Sequence, residues 1–182
     1  MADAPKVVEL IGRAGADARR VVDGIGDDAW HRPTPCTEYD VHRLLEHFVT
    51  SLEGLPAMAS GERPDWERRV ELGSDPAVTF AAAVERNHAY WAQGDHAAAE
   101  MMPGLRLVDL NLTEMVVHGW DIAKATGQDP VFDAEAVEQA WAWATSVPSE
   151  MRSGGTSFGP PVEVPSAAPT LDRLVGLLGR TP

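Results

Sequence analysis

The chain carries a single cysteine, Cys36. A lone thiol cannot close an internal disulfide, and it cannot build a cysteine-based zinc cage. That usage fits a reducing cytoplasm. Positive charge is also scarce. Two lysines and thirteen arginines face 28 acidic residues, leaving a net charge of −13. Such a surface repels phosphate, which argues against nucleic acid or an anionic membrane as partner. The negative charge is spread along the chain and suits solubility better than steering. No apolar run approaches the roughly 18 residues of a membrane-spanning helix. The N-terminus, Met1-Ala2-Asp3-Ala4-Pro5-Lys6, has no basic stretch leading into an apolar one. No signal peptide is expected, and the expected location is cytoplasmic. Internal repeats, heptad runs and a convincing strand ladder are missing too.

What remains is 182 residues, 44% of them hydrophobic, enough for one domain with a real core. The expectation is one helical domain over 1–182, with a core over about 4–151 and a tail, 152–182, docked on it. The oligomeric expectation is a monomer or homodimer. Val7, Val8, Leu10, Ile11, Ala14, Ala18, Val21 and Val22 recur at helical spacing over 4–23. Thr37 followed by Asp40 reads as the cap of a second helix running to about 59. Asp75-Pro76 opens a third, to about 93. Short extended pieces are expected within 94–108. A fourth helix covers about 109–126, with Gly127 as its C-cap. Asp133 opens a fifth, to about Met151. Leu171, Leu174, Val175, Leu177 and Leu178 make a short amphipathic helix in the tail. The reading is an all-α bundle.

Glu114 and His118 lie one turn apart in this fourth helix, so their side chains share a face. The residues around them, Leu112, Met115, Val116, Val117 and Trp120, are apolar. A carboxylate in such a setting is costly unless paired, hydrogen-bonded or bound to a cation. The pair can close on one divalent metal, or it can be a buried hydrogen-bonded pair. His47 sits on the apolar face of the second helix, among Leu44, Leu45, Phe48 and Val49. Alone it reads as a core histidine bonded to a carbonyl. With the other two it tilts the reading toward metal.

Asp121 follows His118 by three positions. It can accept an imidazole N–H and fix its tautomer, or pair with Lys124 or Arg106 in solvent. Asn111 is expected to face away from the site. Cys36 precedes a helix start, which can lower a thiol pKa, but no histidine is placed by sequence to activate it, and a structural role is expected. Of the six tryptophans, Trp120 is the one expected near the metal.

Pro33-Thr34-Pro35-Cys36-Thr37-Glu38-Tyr39-Asp40-Val41, then Leu44-Leu45-Glu46-His47, resembles the opening motif of DinB-like metal-binding proteins. The stretch Glu114-Met115-Val116-Val117-His118-Gly119-Trp120-Asp121 through Gly127 is similar to the second motif of one group among them, the mycothiol-dependent maleylpyruvate isomerase N-terminal domain. Phe158-Gly159-Pro160-Pro161-Val162 and Leu171-Asp172-Arg173-Leu174 resemble its single-domain members. The resemblance implies a DinB/YfiT-like four-helix bundle with a short C-terminal extension, holding one divalent metal, usually zinc. The family's metal histidine of the first motif matches His47, and its Glu-x-x-x-His pair matches Glu114 and His118. The full isomerase has a second domain after the bundle. The segment 152–182 is too short for one, so what carries over is the metal bundle and its thiol chemistry.

Two histidines and one glutamate leave a coordination position open, as catalytic zinc sites do. The same set suits Fe2+ or Ni2+. The resulting expectation is a metal-dependent transferase or isomerase. It would use a low-molecular-weight thiol such as mycothiol on a small electrophilic substrate. Two alternatives stand beside it. One is hydrolysis by zinc-bound hydroxide, and the other is a non-catalytic metal-binding or stress-associated protein. Fold alone does not separate them.

Overall fold

The computed structural model describes residues 2–150 and 158–182. Helix α1 spans Ala4–Asp23 and α2 spans Val41–Ala59. Helix α3 spans Pro76–Ala92, and α4 spans Leu107–Thr126. Helix α5 covers Ala134–Ser146, and α6 covers Thr170–Leu177. Between α3 and α4 lies a small antiparallel ribbon, β1 (Glu100–Met102) and β2 (Leu105–Arg106). The architecture is all-α and DinB-like, as the motifs implied. No helix among the described residues is long and apolar enough to cross a membrane.

Local chemistry sets the helix starts. Asp3, Asp40, Asp75 and Asp133 each accept a hydrogen bond from a backbone N–H in the first turn that follows. Each satisfies one of the donors that a helix N-terminus leaves unpaired. The start of α2 differs from the expected one. Thr37 is not the cap, because residues 36–39 form a turn closed by Tyr39 N–H donating to the Cys36 carbonyl at 2.9 Å. Asp40 takes the role, accepting from Arg43 N at 2.8 Å. The end of α5 also differs. Val147 is extended (φ −68°, ψ 128°), as a residue before proline prefers, so Pro148 stops the helix at Ser146. The expected end at Met151 lies outside the described residues. Gly127 ends α4 in the left-handed region at φ 76°, a conformation glycine adopts without the Cβ penalty.

Helix α1 touches α3 and α4, and α2 touches the same two, so the four close into a ring. Helix α5 packs on α4 and α1, and α6 packs on α5. The core inside the ring is built from Val7, Ile11, Leu44, Leu45, Phe48, Phe80, Leu112, Met115 and Val116, all fully or almost fully buried. Phe48 and Phe80 meet at 4.9 Å between ring centroids. Burying each large apolar side chain stabilises the fold by about 1.5–3 kcal/mol.

Helix α4 is the centre of the molecule. It is buried on nearly every side, from Leu107 through Ala123 with Leu110 the one exception. A helix buried all round cannot hide its polar residues in solvent, so each needs a partner.

Candidate metal centre

Three polar residues of α4 find ordinary partners. Asp109 accepts from Arg106 Nε at 2.6 Å and from Gln139 Nε2 at 2.7 Å. Asn111 exchanges two hydrogen bonds with Asn87, at 2.7 and 3.0 Å, and so faces away from the site. Thr113 donates to the Asp109 carbonyl at 2.9 Å. Glu114, His118 and Asp121 remain, and they converge on one another.

His118 is 3% exposed and uses both ring nitrogens. Its Nε2 lies 3.0 Å from Glu114 Oε2, and its Nδ1 lies 3.2 Å from Asp121 Oδ2. Asp121 has no solvent exposure. Its expected solvent partners are engaged elsewhere, Arg106 with Asp109 and Lys124 over the Trp120 ring at 5.5 Å. The partner of Asp121 is instead Arg180, beyond α6. Arg180 donates through a fork, Nη2 to Oδ2 at 3.0 Å and Nε to Oδ1 at 3.3 Å. Arg180 is itself buried and held by the Leu178 carbonyl at 2.8 Å.

From α2, His47 stands edge-on to His118 with ring centroids 5.1 Å apart, and Tyr39 stacks on the His47 ring at 5.2 Å. One donor atom each from His47, Glu114 and His118 lies within 4.8 Å of the other two. Neither ring nitrogen of His47 hydrogen-bonds a described residue.

At neutral pH the electrostatics ready two of the three donors and leave a proton on the third. Burial disfavours charge on Glu114, but the imidazolium and hydrogen bond of His118 bring its pKa down to about 2. Burial also opposes charge on His118, but the Glu114 and Asp121 carboxylates hold its pKa up to about 9. His47 is pushed down to about 4 by burial and by the neighbouring His118 cation. At neutral pH, His47 therefore offers a free lone pair and Glu114 a carboxylate. A proton on His118 and a metal ion are alternative ways of neutralising that carboxylate. Two imidazole nitrogens and one carboxylate oxygen suit a borderline divalent ion such as zinc or Fe2+, with room for a further ligand. Asp121 then sits where an acceptor for the far N–H of a metal-binding histidine belongs.

The sequence did not place Cys36 here. Its sulfur lies within 4.8 Å of donor atoms of both His118 and Asp121. Contact with a histidine does not activate it, because burial pushes the thiol up to about 11, only partly offset by Arg180. Trp120 does not line the site. Trp66 and Trp143 do.

A cavity of about 470 Å³ opens over the three donors. Leu55, Met58, Met101, Leu110, Trp143 and Phe158 form its walls, with His47, Glu114 and His118 among its lining residues. A second cavity, about 270 Å³, adjoins it and is lined by Arg43, Glu46, Thr50, Glu67, Arg68 and Arg69. The two share Tyr39, His47 and Trp66.

Residues 11–123 match the family described as the mycothiol maleylpyruvate isomerase N-terminal domain. The chain belongs to this family. The match takes in all three candidate ligands together with Cys36, Trp66 and Asp121. Arg180 lies beyond it. Two proteins of Mycobacterium tuberculosis are similar: "Uncharacterized protein MT0763" of strain CDC 1551 / Oshkosh and "Uncharacterized protein Rv0738" of strain ATCC 25618 / H37Rv. Each is 33% identical over 160 residues, covering 82% of this chain and 84% of the relative. No solved structure matches the chain.

Proposed function

We propose that this protein is a metal-dependent enzyme that joins a low-molecular-weight thiol such as mycothiol to a small electrophile, or isomerises that electrophile through the thiol. The observation that carries the reading is the convergence of His47, Glu114 and His118 on a cavity walled by apolar side chains. A divalent ion held there, zinc being the best fit to the donors, would supply a Lewis acid that keeps the thiol as thiolate near neutral pH.

The residues of the chain do the rest. Asp121 orients His118 through Nδ1, and the Arg180 fork holds Asp121 in place. The apolar walls exclude water and leave the thiol sulfur facing the electrophile. Trp143 contributes to the wall, and its buried Nε1 has no hydrogen-bond partner among the described residues. With an activated alkene, the sulfur forms a bond to one alkene carbon and the displaced π electrons take up a proton at the other. Retention of sulfur gives S-transfer. Rotation about the new single bond, then loss of the added proton with departure of sulfur as thiolate, restores the double bond and gives cis–trans isomerisation. Cys36 stays protonated at neutral pH, so the reacting thiol comes from the cosubstrate.

The test is product analysis. Metal-replete protein is incubated with mycothiol and a panel of enones, epoxides and activated esters, and products are followed by mass. The reading expects thiol-dependent conjugates or isomers that vanish in Glu114→Ala. Cleavage of esters or amides at the same rate with no thiol present would replace it with hydrolysis. No reaction across the panel would favour a binding role.

A further inference from the structure

The polar cavity beside the metal centre has no part in the chemistry above. Its lining mixes three arginines with two glutamates and Thr50, whose hydroxyl donates to the Glu46 carbonyl at 3.0 Å. Arg43 is paired with Glu46 within it, and Arg68 reaches out to Glu53 at 2.6 Å. The chamber therefore presents donors and acceptors together rather than a strong charge of one sign. Hydroxyl groups, which both donate and accept, match such a surface better than a carboxylate or an alkyl chain does.

Trp66 lines both cavities. It is 46% exposed, unusual for a tryptophan, and its seat is specific. The ring lies over Gly54 of α2. A Cβ on residue 54 would fall 2.6 Å from Trp66 Cζ3 and 2.8 Å from Cη2. Glycine inside a helix is unfavourable for the helix, so its presence here serves the close approach of the ring. A half-exposed aromatic ring beside a chamber of mixed donors and acceptors is the arrangement that receives a sugar ring, whose C–H face is apolar and whose edge is hydroxylated.

We propose that the chamber bounded by Trp66, Tyr39, Thr50 and the arginines binds the hydroxyl-rich body of the thiol cosubstrate, while the apolar cavity receives the electrophile. The inference rests on the thiol reading above and adds the recognition element to it. Because both cavities reach His47, a thiol seated by its polar body in one chamber presents its sulfur at the metal donors and faces the other. Trp66 is then a specificity residue for the thiol and has no part in holding the metal.

The experiment separates binding from chemistry. Zinc-loaded protein is titrated calorimetrically with S-methylated mycothiol, which has the sugar body but no free thiol, and with N-acetyl-S-methylcysteine, which lacks the sugars. The sugar-bearing thioether should bind at least tenfold tighter. Trp66→Ala should abolish that difference, and so should Gly54→Ala, which favours the helix but evicts the ring. Both variants should keep the wild-type zinc content and helical circular dichroism spectrum. Equal affinity for the two thioethers, or a preference that survives both substitutions, overturns the proposal. Free mycothiol titrated into cobalt-loaded protein reports on the thiol reading itself. A sugar preference without a sulfur-to-cobalt band sinks that reading and leaves the chamber assignment standing. A band that is identical for simple thiols and in Trp66→Ala does the reverse.

Discussion

Asp121 carries more than its place in the sequence suggested. It sits between His118 Nδ1 at 3.2 Å and the Arg180 fork at 3.0 and 3.3 Å, with no solvent access. Removing one member of a buried ion pair leaves an uncompensated charge and costs about 3–5 kcal/mol. Arg180→Met should therefore lower the melting temperature by roughly 10 °C, read by circular dichroism. An unchanged melting temperature would mean Asp121 finds another partner. Asp121→Asn keeps the shape but weakens the acceptor facing the imidazole, and should reduce metal affinity about tenfold or more. Competition with a chromophoric chelator measures it, and wild-type affinity would make Asp121 merely structural. The titration of His118 gives a signed pH dependence. With its pKa at about 9 and that of His47 at about 4, the metal-free site at pH 7 holds one imidazole proton that a metal must displace. Binding at pH 7 should release about one proton, and apparent affinity should rise about tenfold per pH unit until it levels near pH 9. Calorimetry in buffers of different ionisation enthalpy counts the proton, and zero release would place the metal elsewhere. Glu114 and His118 were legible in the sequence because helical spacing fixes their relation. Cys36 and Arg180 were not, because nothing local ties residue 36 or 180 to residue 118. Only the folded chain brings them together.

Most elements were readable because apolar periodicity and aspartate caps agree. The fourth helix begins at Leu107 and ends at Gly127, close to its expected span. The start of α2 misled because Thr37 and Asp40 both carry cap chemistry. The turn over 36–39 decides between them, and it depends on backbone pairing to residues 30–34. The end of α5 was overextended past Pro148, whose predecessor prefers extended backbone. Helix α6 was legible as amphipathic, but its contribution to the site was not. Leu174 and Val175 are fully buried and anchor α6, and Arg180 follows immediately. Leu174→Ala should cost about 2–5 kcal/mol in stability. It should also weaken metal affinity, because it loosens the seat of Arg180. Val7→Ala, in the core position of α1, should lower stability alone. If both variants bind metal like the wild type, α6 is packing and nothing more.

At the scale of the whole molecule, the ring of four helices follows from sequence pattern, and its family membership follows from residues 11–123. The division of the ligand space was not visible in the chain. The Trp66 seat on Gly54 and the apolar walls from α2, α4, α5 and the β1 strand are products of tertiary packing. The account stands on one claim, that this packing builds a divalent-metal site from His47, Glu114 and His118. The direct measurement is elemental analysis of protein purified without added metal, with His118→Ala beside it. Both are first checked for the same helical circular dichroism spectrum. The account predicts near-stoichiometric zinc or another divalent transition metal in the wild type and little or none in the variant. Full occupancy in His118→Ala, or a wild type that neither carries metal nor takes up zinc or cobalt on addition, would contradict it.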